Sequence, residues 1–105
     1  MRPAPGELYL VDLGVAGKVR PAVVVSRQDE RMPRAIVVVA PLTTQYRGSS
    51  YEVSLGKLRF LDKESWINVQ GLTSLGQHTL GRRLGKLSPD QMDHLRTAIR
   101  YLLDL

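Results

Sequence analysis

The stretch PAVVV at residues 21–25 decides the fold class of this 105-residue chain. A continuous run of small and β-branched residues is typical of a strand that is buried on both faces. The stretch AIVVVA at residues 35–40 repeats the pattern, and the charged segment 26–34 between the two runs predicts an exposed connection. We therefore expect two central strands, the second of which ends at Pro41.

Shorter strands are predicted on both sides of these two runs. Residues 7–12 and 51–55 alternate polar and apolar positions, as half-buried strands do, and residues 66–69 are a further strand candidate. The polar segment 43–50, which contains Gly48, predicts a mobile loop.

The C-terminal part carries the signals of an amphipathic helix. Ser88 is placed to be the N-cap, Pro89 the first helical residue, and Gln91 the third, which together form a capping box. Leu87 and Met92 have the spacing of a hydrophobic staple. The apolar stripe of this helix is expected to face the core and consists of Met92, Leu95, Ile99, Leu102 and Leu103.

The order of these elements, several short strands followed by one helix, predicts a single α+β domain over residues 1–105. No internal repeat or linker divides the chain. A small twisted sheet or partly open barrel, closed by the terminal helix, is the expected arrangement. A chain of this length leaves much of its surface exposed, which favours a homodimer.

Composition limits the chemistry that this chain can perform. The net charge of +5 is compatible with a polyanionic partner. The chain has no cysteine, and its two histidines are too few and too far apart for a metal-ligand motif, so we expect no metal and no cofactor. Its apolar runs are too short to cross a membrane and no signal-peptide core is found, which predicts a cytoplasmic protein.

Two polar residues flank the central strands and are candidates for a catalytic site. Arg20 directly precedes the first apolar run, and Thr43 follows the second. If the two strands are neighbours, both side chains project at one rim, where a guanidinium fork beside a hydroxyl suits phosphate chemistry. The alternative is that Arg20 is a solvated charge and Thr43 a turn residue that bonds its own backbone.

Several segments resemble the MazF/PemK toxins, in the same order and over nearly the whole chain. These segments are GELYLVDL at 6–13, RPAVVVS at 20–26, VVVAPLTTQ at 37–45 and the lead into the helix at 80–88. The resemblance implies an SH3-like barrel of the CcdB, Kid and MazF type with a C-terminal helix. It also implies a homodimer, a MazE-like antitoxin partner, and metal-independent, sequence-selective cleavage of single-stranded RNA, often mRNA.

The resemblance also implies that Arg20 and Thr43 are the catalytic pair. The ribose 2′-hydroxyl would attack phosphorus, with Arg20 stabilising the developing charge and the Thr43 hydroxyl donating to a non-bridging oxygen. The general base is left open: the short loop 14–19 offers only Lys18, and His78 and His94 are weak alternatives.

Substrate contacts are expected from the loops around this rim, where bases can stack or form hydrogen bonds. The candidates are Lys18, Gln45, Tyr46 and Arg47, with Asn68 and Gln70 added because segment 68–75 resembles a family segment that lines the site or the dimer seam. Trp66, the only tryptophan, is expected in the core or an interface instead of serving as a base platform.

Two other functions are compatible with the same fold. One is a CcdB-type toxin that binds DNA gyrase and cuts no RNA. The other is a non-catalytic SH3-like RNA-binding module. The presence of both Arg20 and Thr43 favours the nuclease, because a gyrase-binding protein has no need of that pair.

Overall fold

The computed structural model describes residues 2–14 and 18–105. Residues 15–17, in the predicted loop 14–19, lie outside the described residues. The described chain forms seven strands and one α-helix, with short 3-10 turns at Val69–Gly71 and Gln77–Thr79. In chain order these elements are β1 (Glu7–Asp12), β2 (Val19–Val24), β3 (Ile36–Thr43), β4 (Glu52–Gly56), β5 (Ser65–Asn68), β6 (Thr73–Gly76), β7 (Leu80–Lys86) and α1 (Pro89–Leu103).

The sheet is antiparallel and is organised around β3. Its strand order is β4-β5-β3-β2-β1-β7, and β6 also pairs with β3. On one edge β3 pairs with β2; on the other it pairs first with β6 and then, at Leu42 and Thr43, with β5. Among the described strands, no pairing of β4 with β7 closes this path into a barrel. The predicted α+β class with a C-terminal helix is confirmed, and the sheet is the open form of the expected barrel.

The two central strands are buried on both faces, as predicted. Along β2, Val23 packs in the larger core cluster with Leu8, Ile67 and Leu95, whereas Val24 packs on the other face. Both valines and Ile67 are fully buried. Since successive side chains of a strand point to opposite faces, an uninterrupted apolar run is what two buried faces require.

The prediction that Pro41 ends its strand is wrong, because β3 continues to Thr43. Pro41 lies where the partner of β3 changes from β6 to β5. Proline has no N–H to donate to a neighbouring strand, so it fits at this break in the strand pairing. The extension matters for the site, since it makes Thr43 part of a strand.

Two strands, β6 and β7, have no counterpart in the sequence prediction. β7 contains Gly81 and Gly85, which are unusual in strands but are required here by close packing. A Cβ on Gly81 would lie 2.8 Å from the carbonyl oxygen of Leu10, and one on Gly85 would clash with the ring of Phe60. The glycines that allow this packing also remove the apolar alternation by which strands are recognised.

The helix begins as predicted. The Gln91 N–H donates to Ser88 Oγ at 3.2 Å, and the Ser88 N–H donates to Gln91 Oε1 at 2.8 Å, which completes the capping box. Met92, Leu95 and Ala98 are buried, while Leu103 is 51% exposed, so its predicted place in the core is wrong. Side chains of adjacent helical residues point about 100° apart, so Leu102 and Leu103 cannot both face the core. Leu102 is the one that packs against the core.

No helix in the described ranges combines the length and apolarity needed to span a membrane.

Candidate active site

The register of β2 against β3 aligns Arg20 with Thr43. Ala22 pairs with Pro41 and Val23 pairs with Ala40. When this antiparallel alignment is continued by two residues beyond Ala22, Arg20 lies across from Thr43. Side chains at directly opposed positions of neighbouring strands lie on the same face of the sheet.

A single pocket of about 450 Å³ contains both side chains. We call it the rim pocket. Besides Arg20 and Thr43, its wall includes Gln45, Asp62 and Lys63 from the segment that leads into β5, and Ser65, the first residue of β5. Sequence reasoning missed that segment, and the available signal for it was a charged pair shortly before a strand candidate. The condition set by the sequence, that the two strands be neighbours, is met.

The guanidinium of Arg20 is available to an anion. Arg20 is exposed, and among the described residues it makes no hydrogen bond and has no carboxylate within 4 Å. Lys63 adds a second cation to the pocket wall, against one carboxylate, Asp62. Two positive charges and one negative charge give this pocket wall a net positive charge, which attracts phosphate.

The hydroxyl of Thr43 forms a turn with its own backbone and still faces the rim pocket. Its oxygen accepts a hydrogen bond from the Gln45 N–H at 3.1 Å. An accepted bond uses a lone pair and leaves the hydroxyl proton to be donated. The turn proposed as the alternative to a catalytic role is therefore present, and it orients the hydroxyl without consuming its donor.

A second pocket of about 480 Å³ adjoins the first. We call it the loop pocket. Thr43 and Gln45 line both pockets, so the two pockets are adjacent. Four predicted substrate-binding residues are brought together in its wall: Gln45, Arg47, Asn68 and Gln70. Asn68 also caps a 3-10 turn, since its Oδ1 accepts from the Gln70 N–H at 3.0 Å.

The loop between β3 and β4 is anchored by Glu52. This carboxylate accepts from the Arg47 N–H at 3.0 Å, the Ser49 N–H at 3.1 Å and the Ser49 hydroxyl at 3.0 Å. Loss of hydration raises the pKa of Glu52, but the backbone donors of Ser49 and Arg47 offset this and hold the pKa below its ordinary 4.5. Hydrogen bonds to the ionised carboxylate therefore fix the loop that carries the predicted substrate contacts.

Comparison with known proteins shows which family the chain belongs to. The sequence profile of the PemK-like, MazF-like toxins of type II toxin-antitoxin systems matches residues 4–103. The chain belongs to this family. The resemblance seen in its sequence is thereby confirmed.

Mycobacterial members of the family are similar along almost their whole length. The probable endoribonuclease MazF5 of Mycobacterium tuberculosis is 35% identical, over 97% of this chain and 94% of its own. Endoribonuclease MazF1 of Mycobacterium bovis is 32% identical, over 98% and 94%. A mycobacterial endoribonuclease solved in complex with its cognate antitoxin superposes with a TM-score of 0.84 at 31% identity, covering 98% of this chain and 96% of that one.

Two of the predicted substrate contacts of this PemK/MazF-family chain lie outside both pockets. Lys18 is exposed and precedes the start of β2. The ring of Tyr46 is stacked on Trp66, with 5.0 Å between ring centroids and 11° between ring planes. Trp66 is half-buried on β5. The expectation that Trp66 belongs to the core or an interface did not anticipate this stack, which joins a loop residue to a strand residue.

The two histidines do not line the rim pocket of this family member. His94 lines a pocket of about 510 Å³ between β4 and α1, together with Glu52, Thr97 and Tyr101. We call it the helix pocket. His78 is exposed in the second 3-10 turn, where its ring covers Gly76. In residues 2–14 and 18–105, no group of three His, Asp or Glu side chains is placed to hold a metal ion.

Proposed function

We propose that this chain is a toxin endoribonuclease that cuts single-stranded RNA at selected sequences, with mRNA as the expected cellular target. The observation that carries the proposal is the convergence of Arg20 and Thr43 on one pocket. The mycobacterial relatives named as endoribonucleases support it, since this chain aligns with them almost end to end. Residues 1–105 then form one toxin domain.

In the proposed reaction, the ribose 2′-oxygen attacks the adjacent phosphorus. The new bond joins the 2′-oxygen to phosphorus, and the bond to the 5′-oxygen breaks. The leaving 5′-oxygen takes up a proton from water, and the products are a 2′,3′-cyclic phosphate and a 5′-hydroxyl. Arg20 pairs with the non-bridging oxygens as negative charge grows on them. The Thr43 hydroxyl, oriented by the Gln45 N–H, donates to one of the same oxygens.

The proton of the 2′-hydroxyl needs an acceptor near the rim pocket. A guanidinium group is a poor proton acceptor, so Arg20 is unsuited to this step. Asp62 is the carboxylate in the described wall of the pocket, and we assign proton removal to it. DNA cannot react by this route, because it lacks the 2′-hydroxyl.

The remaining predicted contacts are assigned to binding of the RNA on either side of the cleaved phosphate. Arg47, with Lys18 next to the rim, would hold flanking phosphates, while the amides of Gln45, Asn68 and Gln70 would bond to base edges. The RNA then lies along the adjacent rim and loop pockets.

We further propose that the protein acts in the cytoplasm as a homodimer and is inhibited by a MazE-like antitoxin. The mycobacterial relative solved with its cognate antitoxin supports such a partner. An acidic, partly disordered antitoxin segment would complement the net charge of +5. Co-purification with the product of the adjacent reading frame tests this partner.

The function is tested by incubating the purified protein with a long single-stranded RNA in EDTA and mapping the ends. We expect cuts at a recurrent sequence, with cyclic phosphate and 5′-hydroxyl ends. Intact RNA would reject the nuclease, and cutting that requires added Mg²⁺ would reject the metal-independent mechanism. Asp62→Asn tests the proton acceptor: loss of the carboxylate should slow cleavage, because no base then takes the proton of the 2′-hydroxyl. An unchanged rate of cleavage in Asp62→Asn would reject Asp62.

A further inference from the structure

The stack of Tyr46 on Trp66 lies beside a residue that lines both pockets of the proposed site. Trp66 pairs directly across the sheet with Thr43, so the two side chains share a face of the sheet. Asn68, two residues after Trp66, lies on that same face of β5 and lines the loop pocket. Because Thr43 lines both the rim pocket and the loop pocket, the rings lie next to the pocket for the cleaved phosphate and the pocket lined by amides.

One face of the Tyr46 ring is covered and the other is open. The near-parallel rings, 5.0 Å apart between centroids, place Trp66 against one face. Tyr46 nevertheless keeps 57% of its surface exposed. An exposed aromatic ring in a loop is ordinarily free to change rotamer, and here the indole supports it from behind.

The backbone on both sides of Tyr46 is also held. Before it, the Gln45 N–H donates to Thr43 Oγ1. After it, the N–H groups of Arg47 and Ser49 donate to the Glu52 carboxylate. The ring is therefore fixed by hydrogen bonds at both flanks and by the indole beneath it, so that little freedom remains to be lost when a ligand binds.

We propose that the open face of Tyr46 is a preformed stacking platform for the nucleobase next to the cleaved phosphate, and that Trp66 and Glu52 position it. This inference rests on the proposed ribonuclease function. Every base presents a π face, so the platform accepts all four bases and holds purines more strongly through their larger stacked area. It places one base beside the phosphate that Arg20 binds.

The first arm of the test measures kcat/KM for cleavage of a mapped RNA site by the purified protein. Loss of a base–aromatic stack costs roughly 5- to 150-fold in kcat/KM, so Tyr46→Ala should fall in that range, whereas Tyr46→Phe should retain nearly full activity. Trp66→Phe should also stay near wild type, and Trp66→Leu should lower activity. Tyr101→Ala is the matched control, because Tyr101 is 58% exposed and lies on α1.

The second arm observes the base directly. RNA oligonucleotides carry a 2′-deoxyribose at the mapped cleavage position, to prevent reaction, and 2-aminopurine at one flanking position at a time. Stacking on Tyr46 should quench 2-aminopurine at one position next to the cleavage site, and the quenching should disappear in Tyr46→Ala and persist in Tyr101→Ala. Circular dichroism and thermal unfolding confirm that each variant is folded; if Trp66→Leu is unfolded, the Tyr46 pair decides alone.

The outcomes separate this inference from the function on which it rests. If the wild type leaves RNA intact, the ribonuclease and the platform both fail. If the wild type cuts RNA and Tyr46→Ala cuts equally well, or if no flanking 2-aminopurine is quenched, the ribonuclease stands and the platform is rejected. Loss of cleavage in Tyr46→Ala together with loss of quenching supports both.

Discussion

The rim pocket and the helix pocket are similar in size, about 450 and 510 Å³, but they differ in how their polar groups are placed. The rim pocket contains a lysine, an oriented hydroxyl and an arginine that pairs with no carboxylate of the described residues, beside the ends of paired strands. The helix pocket contains His94, a residue type that often serves in catalysis, beside Tyr101 and the small side chains of β4 and α1.

We propose that this difference in polar groups, and not pocket volume or residue type, distinguishes a catalytic site. In the described wall of the helix pocket, His94 is accompanied by no lysine or arginine, and the charged residue there is Glu52, which is negative and engaged with Arg47 and Ser49. Stabilisation of developing negative charge requires hydrogen-bond donors and positive charge at one place, and the wall of the rim pocket has both in Arg20 and Thr43.

The largest effect is expected from Arg20→Ala. Removal of a charge-stabilising donor should lower kcat for RNA cleavage by roughly 100- to 1000-fold. Arg20→Lys, which keeps the charge and loses the fork, should recover part of this loss. Arg82→Ala is the control, because Arg82 is an exposed arginine on β7 and lies in neither the rim nor the loop pocket. Unchanged cleavage by Arg20→Ala would show that the rim pocket is no more catalytic than the helix pocket.

Thr43→Ala should give the next largest effect, a loss of roughly 10- to 150-fold in kcat, as expected for one hydrogen bond from a hydroxyl to a charged oxygen. Thr43→Ser keeps the hydroxyl and should retain most of the activity. A Thr43→Ser variant as impaired as Thr43→Ala would show that the methyl group matters and that the hydroxyl does not.

A smaller, pH-dependent effect is expected at Glu52. Because folding lowers its pKa below 4.5, the anchoring of the loop is complete above pH 4.5 and is lost as pH falls through the lowered value. The emission of Trp66, the only tryptophan, should therefore change in that acidic range as Tyr46 is released. Glu52→Gln should remove the transition, and Glu64→Gln, an exposed glutamate, should keep it. A transition that survives in Glu52→Gln would contradict this assignment.

The smallest effect is expected from His94→Ala, for which kcat/KM should stay within about twofold of wild type, as for a surface substitution away from the site. The pH profile of cleavage should also be unchanged. If His94→Ala loses as much activity as Thr43→Ala, the helix pocket takes part in the reaction. The conclusion that only the rim pocket is catalytic would then be wrong.

The sequence anticipated most of the elements that have strong local signals. The capping box at Ser88 and Gln91 is a local pattern, and it located the start of α1 to the residue. The apolar runs predicted two strands buried on both faces, and ordered motifs along the chain identified the family. β7 escaped prediction because its two glycines follow from contacts with distant segments, and β6 because its four residues carry no apolar alternation.

The sequence by itself therefore determined the α+β class, the helix, the central strands and the family, since each depends on neighbours in the chain or on motif order. The tertiary structure decided the register that aligns Arg20 with Thr43, the addition of Asp62 and Lys63 to their pocket, and the stacking of Tyr46 on Trp66. Pairing register and loop closure arise from contacts between residues far apart in the chain, and a local pattern of side chains does not specify them.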